Sequence, residues 1–208
     1  MILGESDRGA VLVGAEAVNK HLQFLIERLL PDDMRDKETK KHLFKYPGML
    51  STFAAKTDFA RASEMIGSNV YESIQKLRKL RNDVAHSLGS FQLADHQQTL
   101  REMAELSDSM VEFISLTARK VVMDDVIARL KGLTLEGPSG EAVPAFTDVS
   151  DIVDRIGETP ESVRLLQQKA TKLEFALIIG FVCGFLAAHR EMPVTRRDRW
   201  ETPSNEGD

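Results

Sequence analysis

The eleven residues LRKLRNDVAHS, 77–87, contain two side chains that could act together on a phosphate group. Arg81 carries a permanent charge on a planar guanidinium whose geometry matches phosphate oxygens. His86 can take up or release a proton near neutral pH. The pair therefore suits cleavage of RNA by its own 2′-hydroxyl, in which His86 moves the proton and Arg81 stabilises charge on the phosphorane. This chemistry requires neither a metal nor a cofactor, and we predict none.

Neighbouring polar residues are predicted to assist this pair. Asn82 and Asp83 follow Arg81 directly and are candidate supporting residues. Three basic side chains that add local positive potential are candidate RNA-binding residues: Lys76, Arg78 and Lys79. Because the whole chain is acidic, with a net charge of −5, RNA must be bound by such a local patch. The alternative is a solvated helix face on which Lys79 and Asp83 form an ordinary pair four residues apart.

The position of the motif on a helix predicts how its residues are presented. Four apolar residues gather on one side and should face the core: Leu77, Leu80, Val84 and Leu88. Arg81 falls on the edge of that face, whereas Asn82 and His86 lie one above the other, away from it. Since Arg81 and His86 are not neighbours on one face, a shared site predicts a second surface that closes over them. A helix of another subunit is the obvious candidate, so we expect a homodimer.

Helical signals dominate the first 130 residues. Ser6 is a predicted N-cap for a helix with one apolar stripe, formed by Val11, Ala15, Val18, Leu22, Leu25 and Leu29. Ser51 and Ser68 are predicted to cap later helices, and a continuous fifth helix is expected from residue 94 to about 122. At the start of the first helix, Asp7 and Arg8 are candidate supporting residues. They could prop the site, or serve as a cap and as a partner for Asp83.

The chain changes character after residue 131. Glycine and proline recur over residues 132–147, which predicts a loop or short hairpin. Thr159 and Pro160 then begin a long helix, whose apolar part, residues 173–188, is shorter than the roughly 20 residues of a membrane span and is expected to be a buried core helix. Small residues recur there every four positions and predict tight packing against the first bundle: Ala176, Gly180, Gly184 and Ala188. The polar residues 191–208 are expected to be a disordered tail.

Composition limits the function further. With 208 residues and 42% hydrophobic content, the chain fits one domain, or one domain with an appendage. The single cysteine, Cys183, excludes an intramolecular disulfide and a cysteine-based zinc site. The histidines show no metal-ligand spacing, and no glycine-rich phosphate loop occurs. The start MILGESDRG lacks a signal-peptide pattern, so we expect a cytoplasmic protein with no membrane partner.

Three blocks in order, ESDRGAVLVGAE, LSTFAAKTDFARASEMIG and LRKLRNDVAHS, resemble the mannitol operon repressor (MtlR-like) family, an all-helical HEPN-like group. RNDVAH is similar to the R-x4-H motif of the HEPN superfamily. The resemblance covers roughly residues 5–125 and implies the motif positions Asp7, Arg8, Lys56, Asp58, Arg81, Asn82 and His86. It also implies a HEPN/MtlR-like bundle, which we place at residues 1–131. From the sequence pattern we expect a loop or insertion over 132–147 and C-terminal helices over 148–190 that pack on the bundle.

Two functions follow as hypotheses for this all-α, HEPN-like bundle. The resemblance implies a metal-independent endoribonuclease in stress or defence regulation, with a composite Arg81 and His86 site at a homodimer cleft and with RNA, and an antitoxin or other protein, as partners. The second hypothesis is a non-catalytic transcriptional regulator that acts through protein partners. Direct sequence-specific DNA binding is not expected from either, because no basic recognition helix is evident.

Overall fold

The computed structural model describes residues 2–86, 89–136 and 138–191. This part of the chain is all-α, as predicted, with one two-stranded antiparallel ribbon. The helices are α1 (Asp7–Glu27), α2 (Lys37–Phe44), α3 (Phe53–Ala62), α4 (Ser68–His86), α5 (Gln97–Met103), α6 (Met110–Lys131), α7 (Val149–Glu158) and α8 (Pro160–Glu191). The ribbon joins β1 (Thr134–Glu136) and β2 (Ala142–Pro144). Ser87, Leu88 and the predicted tail beyond residue 191 lie outside the described residues.

Helix α1 is the central element of the bundle. It packs against α8, α4 and α3, while α8 also packs against α6. The predicted stripe of α1 is buried from Val11 to Leu25, and Leu29 is exposed beyond the end of the helix. A second, smaller cluster of Ile26, Phe44 and Leu50 attaches α2 to the end of α1. The core thus extends along α1 between the site-bearing helix α4 and the C-terminal helix α8.

The helix starts follow the capping rules closely. The hydroxyl of Ser6 accepts a hydrogen bond from the Gly9 N–H at 3.1 Å, as predicted for the cap of α1. Helix α8 begins at Pro160, where proline costs no backbone hydrogen bond. The cap of α3 is one residue later than predicted, because Thr52 rather than Ser51 accepts from the Ala55 N–H, at 3.0 Å.

The expected continuous fifth helix is wrong. The chain breaks after Met103 and resumes as α6 at Met110. Side chains of α4 replace the missing helical hydrogen bonds, since the Ser73 hydroxyl donates to the Met103 carbonyl at 2.8 Å and the Asn69 amide donates to the Leu106 carbonyl. Buried carbonyls must find donors, and α4 supplies them only once the fold is formed.

The C-terminal part consists of the exposed ribbon, α7 and α8. Helix α8 contributes large side chains to the main core cluster: Phe175, Ile178, Ile179, Val182 and Leu186. The expected packing of the small-residue stripe is wrong for Gly180 and Gly184, which are exposed. Apart from their own chain neighbours and the nearby backbone of α8, no atom of the described residues lies within 4 Å of an added Cβ. The close approach occurs instead at Gly14 of α1, where an added Cβ would lie 2.9 Å from Phe175 Cζ.

By length and composition alone, residues Pro160–His189 of α8 are apolar enough to cross a membrane. In the bundle, one side of this helix packs against α1 and α6. The opposite side carries the exposed residues Gly180, Gly184 and Ala188. The cytoplasmic location therefore stays a prediction from the sequence.

Candidate functional site

Helix α4 presents the Arg81 and His86 motif at its C-terminal end. Leu77, Leu80 and Val84 are buried, as the helical pattern predicted, and Leu88 lies outside the described residues. Arg81, Asn82, Asp83 and His86 are all exposed. The core stripe therefore anchors the helix and leaves the polar residues of the motif accessible.

Arg81 and His86 are accessible but point in different directions. Arg81 Nη1 donates to Asn82 Oδ1 at 3.3 Å, and no salt bridge holds its guanidinium within the described part of the chain. His86 is five positions after Arg81, which places the two residues about 140° apart around the helix and about 7.5 Å apart along it. Arg81 and His86 therefore lie on different faces of the same helix.

Arg81 lines a groove between α1, the start of α3, and α4. This α1/α3/α4 groove has a volume of about 670 Å³. Helix α4 contributes Arg78, Arg81 and Asn82, and α3 contributes Thr52 and Phe53. Its size lies within the range of about 300–1,000 Å³ typical of ligand sites.

Positive side chains outnumber negative ones in the α1/α3/α4 groove. Arg78 and Arg81 line one wall, and the N-terminus of α3 adds its partial positive charge. Arg78 Nη1 is oriented by the side-chain carbonyl of Gln75, which accepts its hydrogen bond at 2.6 Å. Glu16 on α1 supplies the opposing negative charge. A phosphate would therefore be attracted to the two arginines and kept away from Glu16.

A buried lysine lies beside the groove. Lys56 is only 3% exposed, and its Nζ donates to Asn19 Oδ1 at 2.8 Å. Asn19 in turn donates to a Glu16 carboxylate oxygen at 3.3 Å. Burial lowers the pKa of Lys56, and the nearby Glu16 charge partly opposes that shift. The Lys56, Asn19 and Glu16 chain thus links α3 to α1 along the groove.

Sequence reasoning missed the groove residues Glu16, Asn19 and Thr52. They come from two separate elements, and no local spacing marks them as members of one site. Of the motif positions, Asp58 accepts hydrogen bonds from the Tyr71 hydroxyl and the Gln75 amide, each at 3.1 Å. Lys56 contacts α1 whereas Asp58 contacts α4, so the two residues lie on different sides of α3.

Asp7 and Arg8 hold the region around the end of α4. Arg8 donates to the Val84 carbonyl at 2.9 Å and to the Gly89 carbonyl at 3.0 Å. Asp7 accepts from the Leu93 N–H at 2.9 Å and forms a salt bridge with Lys172 of α8 at 3.3 Å. These contacts join the start of α1 to the end of α4 and to α8, and a role of Asp7 and Arg8 in supporting the site stays a prediction.

Several other residues of the predicted site do not line the α1/α3/α4 groove. Asp83 and Lys79 are exposed and form no salt bridge with each other, which contradicts the ordinary pair considered above. Lys76 instead forms a salt bridge with Glu102 of α5, which raises the pKa of Lys76 and lowers that of Glu102. Of the three predicted RNA-binding residues, only Arg78 joins Arg81 in the groove.

Within the described residues, no group of three or more His, Cys, Asp and Glu side chains is arranged to hold a metal ion. No family model, curated protein or solved structure matches the chain. A relation to the MtlR-like family thus stays a prediction from the three sequence blocks.

Proposed function

We propose that this chain is a HEPN/MtlR-like, metal-independent endoribonuclease that uses Arg81 and His86. One observation carries the proposal. Both side chains are exposed at the end of one helix, and neither is held in a salt bridge within the described residues. An arginine and a histidine left accessible in this way can meet an incoming phosphate.

The proposed reaction is transesterification within the RNA. His86 takes the proton of the 2′-hydroxyl or returns one to the departing 5′-oxygen, which contributes about 10²- to 10⁴-fold to the rate. Arg81 stabilises the charge that grows on the phosphorane. The 2′-oxygen to phosphorus bond forms as the phosphorus to 5′-oxygen bond breaks. The products carry a 2′,3′-cyclic phosphate and a 5′-hydroxyl.

The helix geometry favours a site shared by two protomers. Because Arg81 and His86 diverge by about 140° on α4, they are not neighbours on one helix face, which favours completion of the site by a second protomer. In the proposed homodimer, Arg81 of one protomer acts with the partner subunit's His86. Such a two-fold arrangement creates two equivalent sites.

The α1/α3/α4 groove is proposed to bind the RNA nucleotides that flank the scissile bond. Arg78 lies beside Arg81 in the groove and is proposed to hold a neighbouring phosphate. Binding through phosphates weakens as salt rises, because fewer counterions are released. Lys79 is exposed and can add to the attraction, whereas the Lys76 ammonium is shared with Glu102.

The test is RNA cleavage in EDTA by the wild type and by the Arg81→Ala and His86→Ala variants. We expect cleavage by the wild type, cyclic phosphate ends, and a loss of at least about 100-fold in each variant. Arg155→Ala and His42→Ala are matched controls, since both residues are exposed and far along the chain from the motif. Intact RNA with the folded wild type, or equal loss in the controls, would overturn the proposal.

The second candidate is a non-catalytic regulator that acts through a protein partner. Its supporting observation is the apolar exposure on α6, where Phe113 is 53% and Leu116 is 67% exposed. The two side chains lie one helical turn apart and leave apolar surface in water, which a protein partner would cover. If RNA stays intact, Phe113→Ser with Leu116→Ser should abolish capture of a partner, while Arg81→Ala should leave it unchanged.

A further inference from the structure

A second cavity lies on the other side of the bundle, where α5, α6, α7 and α8 meet. Its volume is about 660 Å³, which is in the range of small-molecule sites. Its walls are mainly aliphatic and include Leu100, Ile114, Val122, Ile156, Leu166 and Ile178. None of these residues belongs to the Arg81 and His86 site or to the α1/α3/α4 groove.

The cavity is accessible from solvent. Val153 of α7 and Val163 of α8 line it and are 42% and 40% exposed. Helix α7 packs on α6 and α8, anchored by the fully buried Ile152. Exposed valines at the edge of an aliphatic cavity leave apolar surface in water, which an apolar ligand would cover.

Two arginines give the cavity a preference for anions. Arg101 of α5 and Arg119 of α6 both line it, and neither forms a salt bridge or side-chain hydrogen bond within the described residues. Glu174 of α8 is the one acidic side chain among the lining residues. Two guanidinium groups against one carboxylate leave a net charge of +1. One of the other polar groups in the lining already has a partner, because the Thr171 hydroxyl donates to the Gln167 carbonyl at 2.9 Å.

We propose that this cavity binds one medium-chain fatty acid. Its alkyl chain lies among the aliphatic walls, and its carboxylate pairs with Arg101 and Arg119, which suit carboxylates as planar donors. The combination of an apolar interior with a few oriented polar groups is the usual design of a ligand site. This inference is independent of the proposed ribonuclease, because it involves none of the same residues.

Decanoate is the probe for calorimetric titration of the full chain, with octanoate and decanol for comparison. We expect saturable binding of one decanoate per chain, about tenfold tighter than octanoate because two more methylenes are buried. The double variant Arg101→Gln, Arg119→Gln should bind decanoate about tenfold more weakly and decanol equally well. Arg164→Gln is the control, since Arg164 is an exposed arginine of α8 outside the cavity.

A second variant tests the location independently of charge. Ala170→Leu places added bulk at a buried lining position, and it should abolish decanoate binding while circular dichroism shows a folded protein. If this variant unfolds, Ser115→Leu at a half-buried lining position serves the same purpose. No saturable binding below the micelle concentration would overturn the proposal. Equal binding by wild type and all cavity variants would do so as well, as would a second copy of the chain already covering the cavity.

Discussion

Asn19 connects two charged side chains in the first part of the bundle. Its carbonyl oxygen accepts from Lys56 Nζ, and its amide donates to Glu16. Lysine is rarely buried unless it is paired, and here a neutral amide supplies the direct hydrogen bond. The cost of removing Lys56 from water is reflected in its lowered pKa.

This lowered pKa predicts how Lys56→Met changes stability with pH. Between the native pKa and the ordinary value of 10.5, the unfolded chain binds more protons than the native one, so wild-type stability rises with pH in that window. The methionine variant lacks this contribution. The free energy of unfolding of Lys56→Met, relative to wild type, should therefore fall as pH rises from 7 towards 10.5.

Urea unfolding at several pH values measures this difference. Lys37→Met is the control, because Lys37 is an exposed lysine at the start of α2. The control should differ from wild type by an amount that barely changes with pH. A Lys56→Met difference as flat as that of the control would mean that the ammonium is well hydrated.

Cys183 on α8 should be a slow nucleophile. Burial raises the pKa of its thiol from 9.0 to about 11, and the thiolate is the reactive form. At pH 8 the native protein should react with iodoacetamide about a hundredfold more slowly than the protein in guanidinium chloride. Mass spectrometry of timed samples gives both rates, and equal rates would contradict the burial.

At the scale of elements, α1 and α8 approach most closely at Gly14. Gly14→Val should lower the free energy of unfolding by about 1–3 kcal/mol, because the added atoms collide with the fully buried Phe175 and with Ile179. Gly184→Val is the matched control on the exposed side of α8 and should change stability by less than about 0.5 kcal/mol. Urea unfolding measures both. Equal effects would mean that the two helices are not in tight contact at Gly14.

The elements also show what local sequence signals can predict. The helix starts at Ser6 and Pro160 were predictable because a cap or a proline acts within one turn. The break between α5 and α6 was not, because the donors that satisfy it come from Asn69 and Ser73 of α4. The packing expected for Gly180 and Gly184 was wrong because a small residue permits close contact but does not determine which helix, if any, approaches it.

At the scale of the molecule, the sequence predicted the all-α class and the exposure of His86. Arg81 was expected at the edge of the core face and is instead exposed. Periodicity alone placed Leu77, Leu80 and Val84 in the core. The α1/α3/α4 groove was not predictable, because Glu16, Thr52 and Arg78 meet only when three elements pack together. The cavity around Arg101 and Arg119 likewise depends on the docking of α7 and α8.

A site shared by two protomers predicts that two different inactive variants regain activity when they form heterodimers. Arg81→Ala and His86→Ala are each expected to be inactive, yet a heterodimer of the two variants has one site with both residues intact. Random exchange makes half of the dimers mixed, with one working site of two, so about a quarter of wild-type activity should return. Two copies of the same variant contain no complete site and should stay inactive.

The measurement that tests the central claim most directly is RNA cleavage in EDTA by this mixture after subunit exchange. Native mass spectrometry must first establish the fraction of heterodimers. Recovery in proportion to that fraction, with cyclic phosphate ends, is the result predicted for Arg81 and the partner subunit's His86 acting together. A mixture that contains heterodimers but cleaves no faster than either variant would contradict the shared site.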